Sequence, residues 1–240
     1  MNSPIARRWK YAVVATGIAL VGVGLFVNVR TPQAQSRRRV NCINNLHQLA
    51  TALRAYHDDF GCFPPTYIAD ADGKPMHSWR VLILPYLERQ DLYEAYRFDE
   101  PWDGPNNRKL HAHTLTIFCC AKDGEPLGAP HTSYFVLTGP QALFQGSWPP
   151  TLSPLSEQAA KSLLVVEAPD LGIHWMEPRD IPPQAYRTNV QAPLPWSRPK
   201  YHQGRGNVAY ADGHVESLPD SITIDEPNAR MIVSEPAPPR

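Results

Sequence analysis

Tyr201 to Leu218 reads YHQGRGNVAYADGHVESL. Two short apolar-rich runs, Gly206 to Ala211 and His214 to Leu218, flank the dipeptide Asp212-Gly213. Asp-Gly between such runs predicts a β-hairpin, because a type I′ turn needs positive φ at both central residues. The stretch therefore points to an antiparallel sheet. It also holds His202, Asp212 and His214, side chains from which a divalent metal site or an acid–base pair is built.

Outward from this hairpin, Ser133 to Thr138 and Ser162 to Glu167 are also short and rich in Val, Leu, Tyr and Phe, as strands are. Gly139 to Pro154 and Pro178 to Pro199 carry many of the 26 prolines and predict long surface loops. Further upstream the period changes. Val40, Ile43, Leu46, Ala50, Leu53 and Tyr56 recur at spacings of three and four, the pattern of an amphipathic helix, which Gly61 and Pro64-Pro65 end. Ser78 to Tyr96 is a second helical region, and Pro85 in its middle implies two short helices or a kink. Its Leu, Tyr and Trp side chains read as core. Pro101 to Asn107 is turn chemistry.

Tyr11 to Val29 contains no charged residue, and as a helix it spans about 28 Å, close to the thickness of a hydrocarbon core. It predicts one transmembrane helix. A cleaved signal peptide fits less well, because its apolar region is about 7–15 residues long. Arg7, Arg8 and Lys10 before the segment and Arg30 and Arg37 to Arg39 after it leave the positive-inside count nearly tied. Four scattered cysteines, Cys42, Cys62, Cys119 and Cys120, in no C-x-x-C spacing, fit disulfides in an oxidising compartment and place the large domain outside the cytoplasmic membrane.

Removing the four basic residues of the first thirty from the chain's 23 leaves 19 against 23 acids, a charge near −4 for the rest. That balance argues against nucleic acid as a partner. The domain plan is a cytoplasmic tail (1–10), a transmembrane helix (11–29), an amphipathic helix (30–60), an α+β domain (61–220) and a C-terminal tail (221–240). A long N-terminal helix, its first half in lipid and its second half packed on a small antiparallel sheet with long Pro-rich loops, is the layout of a pilin.

Several motifs in order strengthen this. Asn41-Cys42-Ile43-Asn44-Asn45-Leu46, Tyr56-His57, Phe63-Pro64-Pro65, Ser78-Trp79-Arg80-Val81, Leu84-Pro85-Tyr86-Leu87, Pro101-Trp102-Asp103, Asn107, Glu167, His174-Trp175, Glu177-Pro178-Arg179-Asp180 and His202 with Asp212-Gly213 nine residues on run through residues 37 to 220. The chain thereby resembles a bacterial pseudopilin-like family abundant in planctomycetes, domain-of-unknown-function family fifteen-fifty-nine. The resemblance implies a major-pseudopilin-like component of type II secretion or pilus systems. It also implies a bridge between Cys42 and Cys120, with Cys62 left near Cys119. One departure from the pattern is plain. Arg8-Trp9-Lys10-Tyr11 stands where a prepilin has its cleavage site, and no acid precedes Asp58, so filament assembly through a helix glutamate is not expected.

An enzyme would draw on His202, Asp212 and His214, with Glu167, His174, Glu177 and Asp180 as further ligands or acid–base groups. A local explanation competes. Asp212 and Gly213 suit the turn for backbone reasons, and His202 can clamp the link before the hairpin to the sheet. No G-x-S-x-G elbow, P-loop or G-x-G-x-x-G is present. The reading is therefore a non-catalytic envelope protein without cofactor, whose partners are the lipid bilayer and envelope or secretion-system proteins. Trp148, Trp175 and Trp196 on the loops are its candidate contact residues. The alternatives are a metal-dependent envelope enzyme and a sugar- or peptide-binding module.

Overall fold

The computed structural model describes residues 37, 39–120, 130–139, 142–168, 171–182 and 205–219. The predicted tails and transmembrane helix, together with His202 and Trp196, lie outside them. No helix among the described residues is long and apolar enough to cross a membrane. The chain divides into two units, Met1–Val40 and Asn41–Arg240. The few described residues of the first are helical, and the second holds the α+β fold.

In the larger unit α1 covers residues 41–60. Its buried stripe is Cys42, Leu46, Leu49, Ala50, Ala52 and Leu53. The predicted stripe overlaps this at Leu46, Ala50 and Leu53. Val40 in the first unit is 54% exposed, and Cys42 is the buried residue at that end. Gly61 stops the helix in the left-handed region (φ 72°), and its N–H donates to the His57 carbonyl at 2.8 Å.

Two elements then form a hairpin that the sequence pattern did not announce, β1 (Tyr67–Ala69) against β2 (Pro75–Ser78). Ser78 caps α2 (Trp79–Leu82), its hydroxyl accepting the Arg80 N–H. Pro85 sits in the first turn of a 3₁₀ segment, Leu84–Leu87, and α3 (Gln90–Ala95) follows. The proline thus splits the region as expected, since it fixes φ and removes a donor.

The main sheet has four antiparallel strands in the order β3 (Tyr134–Phe135), β4 (Leu163–Glu167), β5 (Arg205–Tyr210) and β6 (Val215–Pro219). Alternation along the strands sends residues to two faces. Tyr134, Val136, Val165, Ala209 and Ala211 join α1 in one core cluster. Phe135, Leu137, Val166, Val208 and Tyr210 join Ile173 and Ile181 in a second. The helix is tied to its face by the Tyr134 hydroxyl, which donates to the Cys42 carbonyl at 3.3 Å. The expected surface loop after β3 departs from its reading. Phe144 is fully buried in the first cluster, so this connection supplies core as well as surface.

The hairpin turn also differs in type. Tyr210 O accepts the Gly213 N–H, Tyr210 N–H donates to His214 O, and Gly213 (φ 93°) is the residue of the turn with positive φ. This is a three-residue loop with a glycine bulge, so Asp212 needs no left-handed conformation.

Candidate functional site

The densest polar cluster is built on Arg80, an arginine inside the apolar run Trp79 to Leu84. Its side chain and that of Asp180 are both 0% exposed, with Nη2 to Oδ1 at 2.7 Å. The guanidinium also donates to the Tyr134 carbonyl from Nε (3.2 Å) and Nη2 (2.9 Å), and to the Ser78 hydroxyl from Nη1 (3.0 Å). Asp180 further accepts the Trp79 indole N–H (3.1 Å) and the Val136 backbone N–H (2.9 Å). Burial pushes Asp180 up to about 6 against the pull of Arg80 and these donors. The same burial lowers Arg80.

The placement of this pair explains its chemistry. β3 is an edge strand, and Arg80 and Asp180 engage its Tyr134 C=O and the N–H of Val136 just past its end. A sheet edge left open templates pairing with another chain. Here the salt bridge covers it together with the Ile181 backbone, whose N–H donates to the Val136 carbonyl (3.4 Å) and whose carbonyl accepts the Thr138 N–H (3.0 Å).

Other residues singled out in the sequence also face inward. Asn107 is fully buried, donates to the carbonyls of Arg97 (2.8 Å) and Pro101 (3.0 Å), and accepts the Arg97 N–H (2.9 Å). Trp175, expected on a contact surface, is 1% exposed. It stacks on Phe118 at 10° and donates its indole N–H to the His113 carbonyl. It is a core residue, because a large aromatic with a satisfied N–H gains more from burial than from exposure. Trp148 is 76% exposed, as a contact residue would be.

The candidate acid–base residues fall into separate hydrogen-bonded groups. Asp212 Oδ1 accepts the His214 N–H (3.1 Å) and meets its ring Nδ1 (2.6 Å). Burial raises the Asp212 pKa, but the two His214 contacts outweigh it and the net shift is downward. Arg54 on α1 donates to the Asp212 carbonyl at 2.9 Å, and a Cβ at Gly213 would lie 2.8 Å from the Arg54 Nη1. The turn is thus a docking point for α1, which gives Asp212 and Gly213 a structural role. Glu177 pairs with Arg179 at 2.8 Å. Glu167 accepts from Asn207 at 2.6 Å, and Asn207 in turn accepts from Ser217 at 2.7 Å, a chain across β4, β5 and β6.

His174 packs at a tilt against Trp102 and His111, with ring centroids 5.6 and 4.4 Å away. Its Nδ1 accepts the Met176 N–H (3.1 Å), so the ring proton sits on Nε2, which faces the His111 carbonyl (3.4 Å). Burial, opposed by that carbonyl and aided by the neighbouring histidines, lowers its pKa to about 4. The unfolded chain therefore binds this proton more tightly than the folded one. Stability contributed by neutral His174 is present above pH 6.5 and is lost as pH falls toward 4. We expect acidification from pH 7 to 4.5 to cost the wild type about 1–2 kcal/mol more than His174→Gln, a partly exposed site being discounted for screening. Denaturant titrations at the two pH values check this, and equal losses in both proteins would rule it out.

The remaining cluster is covalent. Cys42 on α1 is disulfide-bonded to Cys120, with Cα atoms 5.5 Å apart. This is the bridge that the resemblance implied, and Cys62 and Cys119 are not joined in a disulfide. A family model described as a protein of unknown function (DUF1559) matches residues 35–161, just over half of the 240 residues. The chain belongs to that family. The matched span contains both bridged cysteines, Arg80 and Asn107, whereas Asp180 and the Asp212-Gly213 turn lie beyond it. No curated protein and no solved structure matches the chain.

Sequence reasoning passed over Arg80 as a centre. The available signal was a lone arginine flanked by Trp, Val, Leu and Ile, which requires a buried acid somewhere in the chain.

Proposed function

We propose that this chain is a membrane-anchored, pseudopilin-like assembly protein of the cell envelope, which acts by contact with envelope or secretion-system proteins and not by catalysis. The observation that carries this reading is α1 lying along one face of a four-stranded antiparallel sheet, downstream of the uncharged segment 11–29. The buried structural roles of Arg80, Asn107 and Asp180 support it, since side chains spent on packing leave recognition to the loops. Trp148 and Leu155, 76% and 88% exposed on the loop between β3 and β4, form the contact surface.

Full-length protein is expected in the membrane fraction after alkaline carbonate washing, with the domain open to protease from the outer side. A photo-crosslinking residue in place of Trp148 is expected to give adducts with envelope proteins. A carbonate-soluble chain without adducts would overturn the proposal.

A further inference from the structure

The disulfide has an unusual neighbour. Glu167 is buried on β4, and one ligand atom each of Cys42, Cys120 and Glu167 lies within 4.8 Å of the other two. Among the described residues this is the one group of three side chains of metal-ligating type so placed. Sheet register explains the meeting. Glu167 stands opposite Tyr134, whose hydroxyl reaches the Cys42 carbonyl, so the acid and the helix cysteine share one face.

Two sulfurs and a carboxylate, with a carboxamide behind the carboxylate, are the donors and the orienting group of a zinc site. Asn207 donates to Glu167 Oε2 and is itself held by Ser217, which helps fix the carboxylate's orientation. In the bridged state the sulfurs are bonded to each other and are not thiolate ligands. Reduction changes that.

We infer that Cys42, Cys120 and Glu167 form a redox-selected cross-link, a disulfide under oxidising conditions and a three-ligand site for a zinc-like divalent ion once the bridge is reduced. A phosphine and water convert the disulfide to two thiols and a phosphine oxide. The ion then displaces one proton from each thiol, giving two metal–thiolate bonds and releasing two protons to solvent, while Glu167 supplies the third bond and water the fourth position. Tetrahedral zinc needs sulfurs about 3.8 Å apart at about 2.3 Å from the metal, so α1 and the Cys120 segment part to admit it. Either state ties α1 to the segment entering the sheet, which keeps the fold stapled in both redox conditions.

The test uses the full-length chain, zinc ion alone as probe, and equilibrium dialysis with and without a phosphine reductant. The expected result is one zinc per reduced chain beyond the amount held by the oxidised chain, with affinity at least tenfold weaker in Glu167→Gln. Cobalt added to the reduced wild type should give the near-ultraviolet thiolate charge-transfer band, a readout independent of whether the variant folds. Equal zinc in both redox states, which surface histidines would produce, overturns the inference. So does a reduced chain that takes up none, a cobalt spectrum without the thiolate band, or a folded Glu167→Gln that binds as tightly as wild type.

Discussion

Asp180→Ala is expected to destabilise the protein by about 3–5 kcal/mol, the cost of leaving a buried charge without its partner. The reason is specific to this site. Removal of the carboxylate strands the Arg80 guanidinium at 0% exposure, and it also deprives the Trp79 indole and the Val136 N–H of their acceptor. Arg80 keeps the Tyr134 carbonyl and the Ser78 hydroxyl, but neither neutralises its charge. Asp180→Asn should cost less than alanine, because it retains an acceptor oxygen for the N–H donors. A second consequence is aggregation. With Val136 N–H unengaged, an open donor appears on this edge beside the Ile181 backbone bonds, and Asp180→Ala should associate more readily than the wild type. Denaturant unfolding with unchanged slope, read beside light scattering, measures both effects. A loss under 1 kcal/mol would mean that the pair is not the latch described here.

The second large effect concerns the bridge. Cys42→Ala together with Cys120→Ala is expected to cost about 4 kcal/mol in the chain-entropy model, because the bridge closes a separation of 78 residues. The double replacement avoids new pairings by a cysteine left alone beside Cys119. α1 is covalently held at this one end, while the Arg54 contact to the Asp212 carbonyl holds it further along. Loss of the bridge should therefore loosen the first turns of α1 before the rest. Hydrogen exchange that quickens over residues 41–49 ahead of 50–60 would show this. Uniform exchange and an unchanged midpoint would show that packing alone seats the helix.

Local signals in the sequence were dependable where one segment carries its own reason. Gly61 ends α1 and Pro85 splits the helical region, since a left-handed glycine and a missing donor act within a turn. The four strands of the main sheet fall where β-branched and aromatic runs lie, and the hairpin forms around Asp212-Gly213. Its turn type was misread, because three-residue and two-residue loops share the same Asp-Gly signal and differ in how the flanking strands pair. The β1–β2 hairpin was missed, since strands of three and four residues are too short to show a period.

The amphipathic helix and the strands of the sheet were written in periodicity, composition and turn chemistry, which depend on neighbours in the chain. The pairing of Arg80 with Asp180 a hundred residues away, and the meeting of Glu167 with the Cys42–Cys120 bridge, were decided only by the tertiary structure. So was the removal of Trp175 from the surface. An ion pair, a ligand set or a stacked ring needs atoms a few ångströms apart, and that proximity leaves no spacing in the sequence from which to infer it.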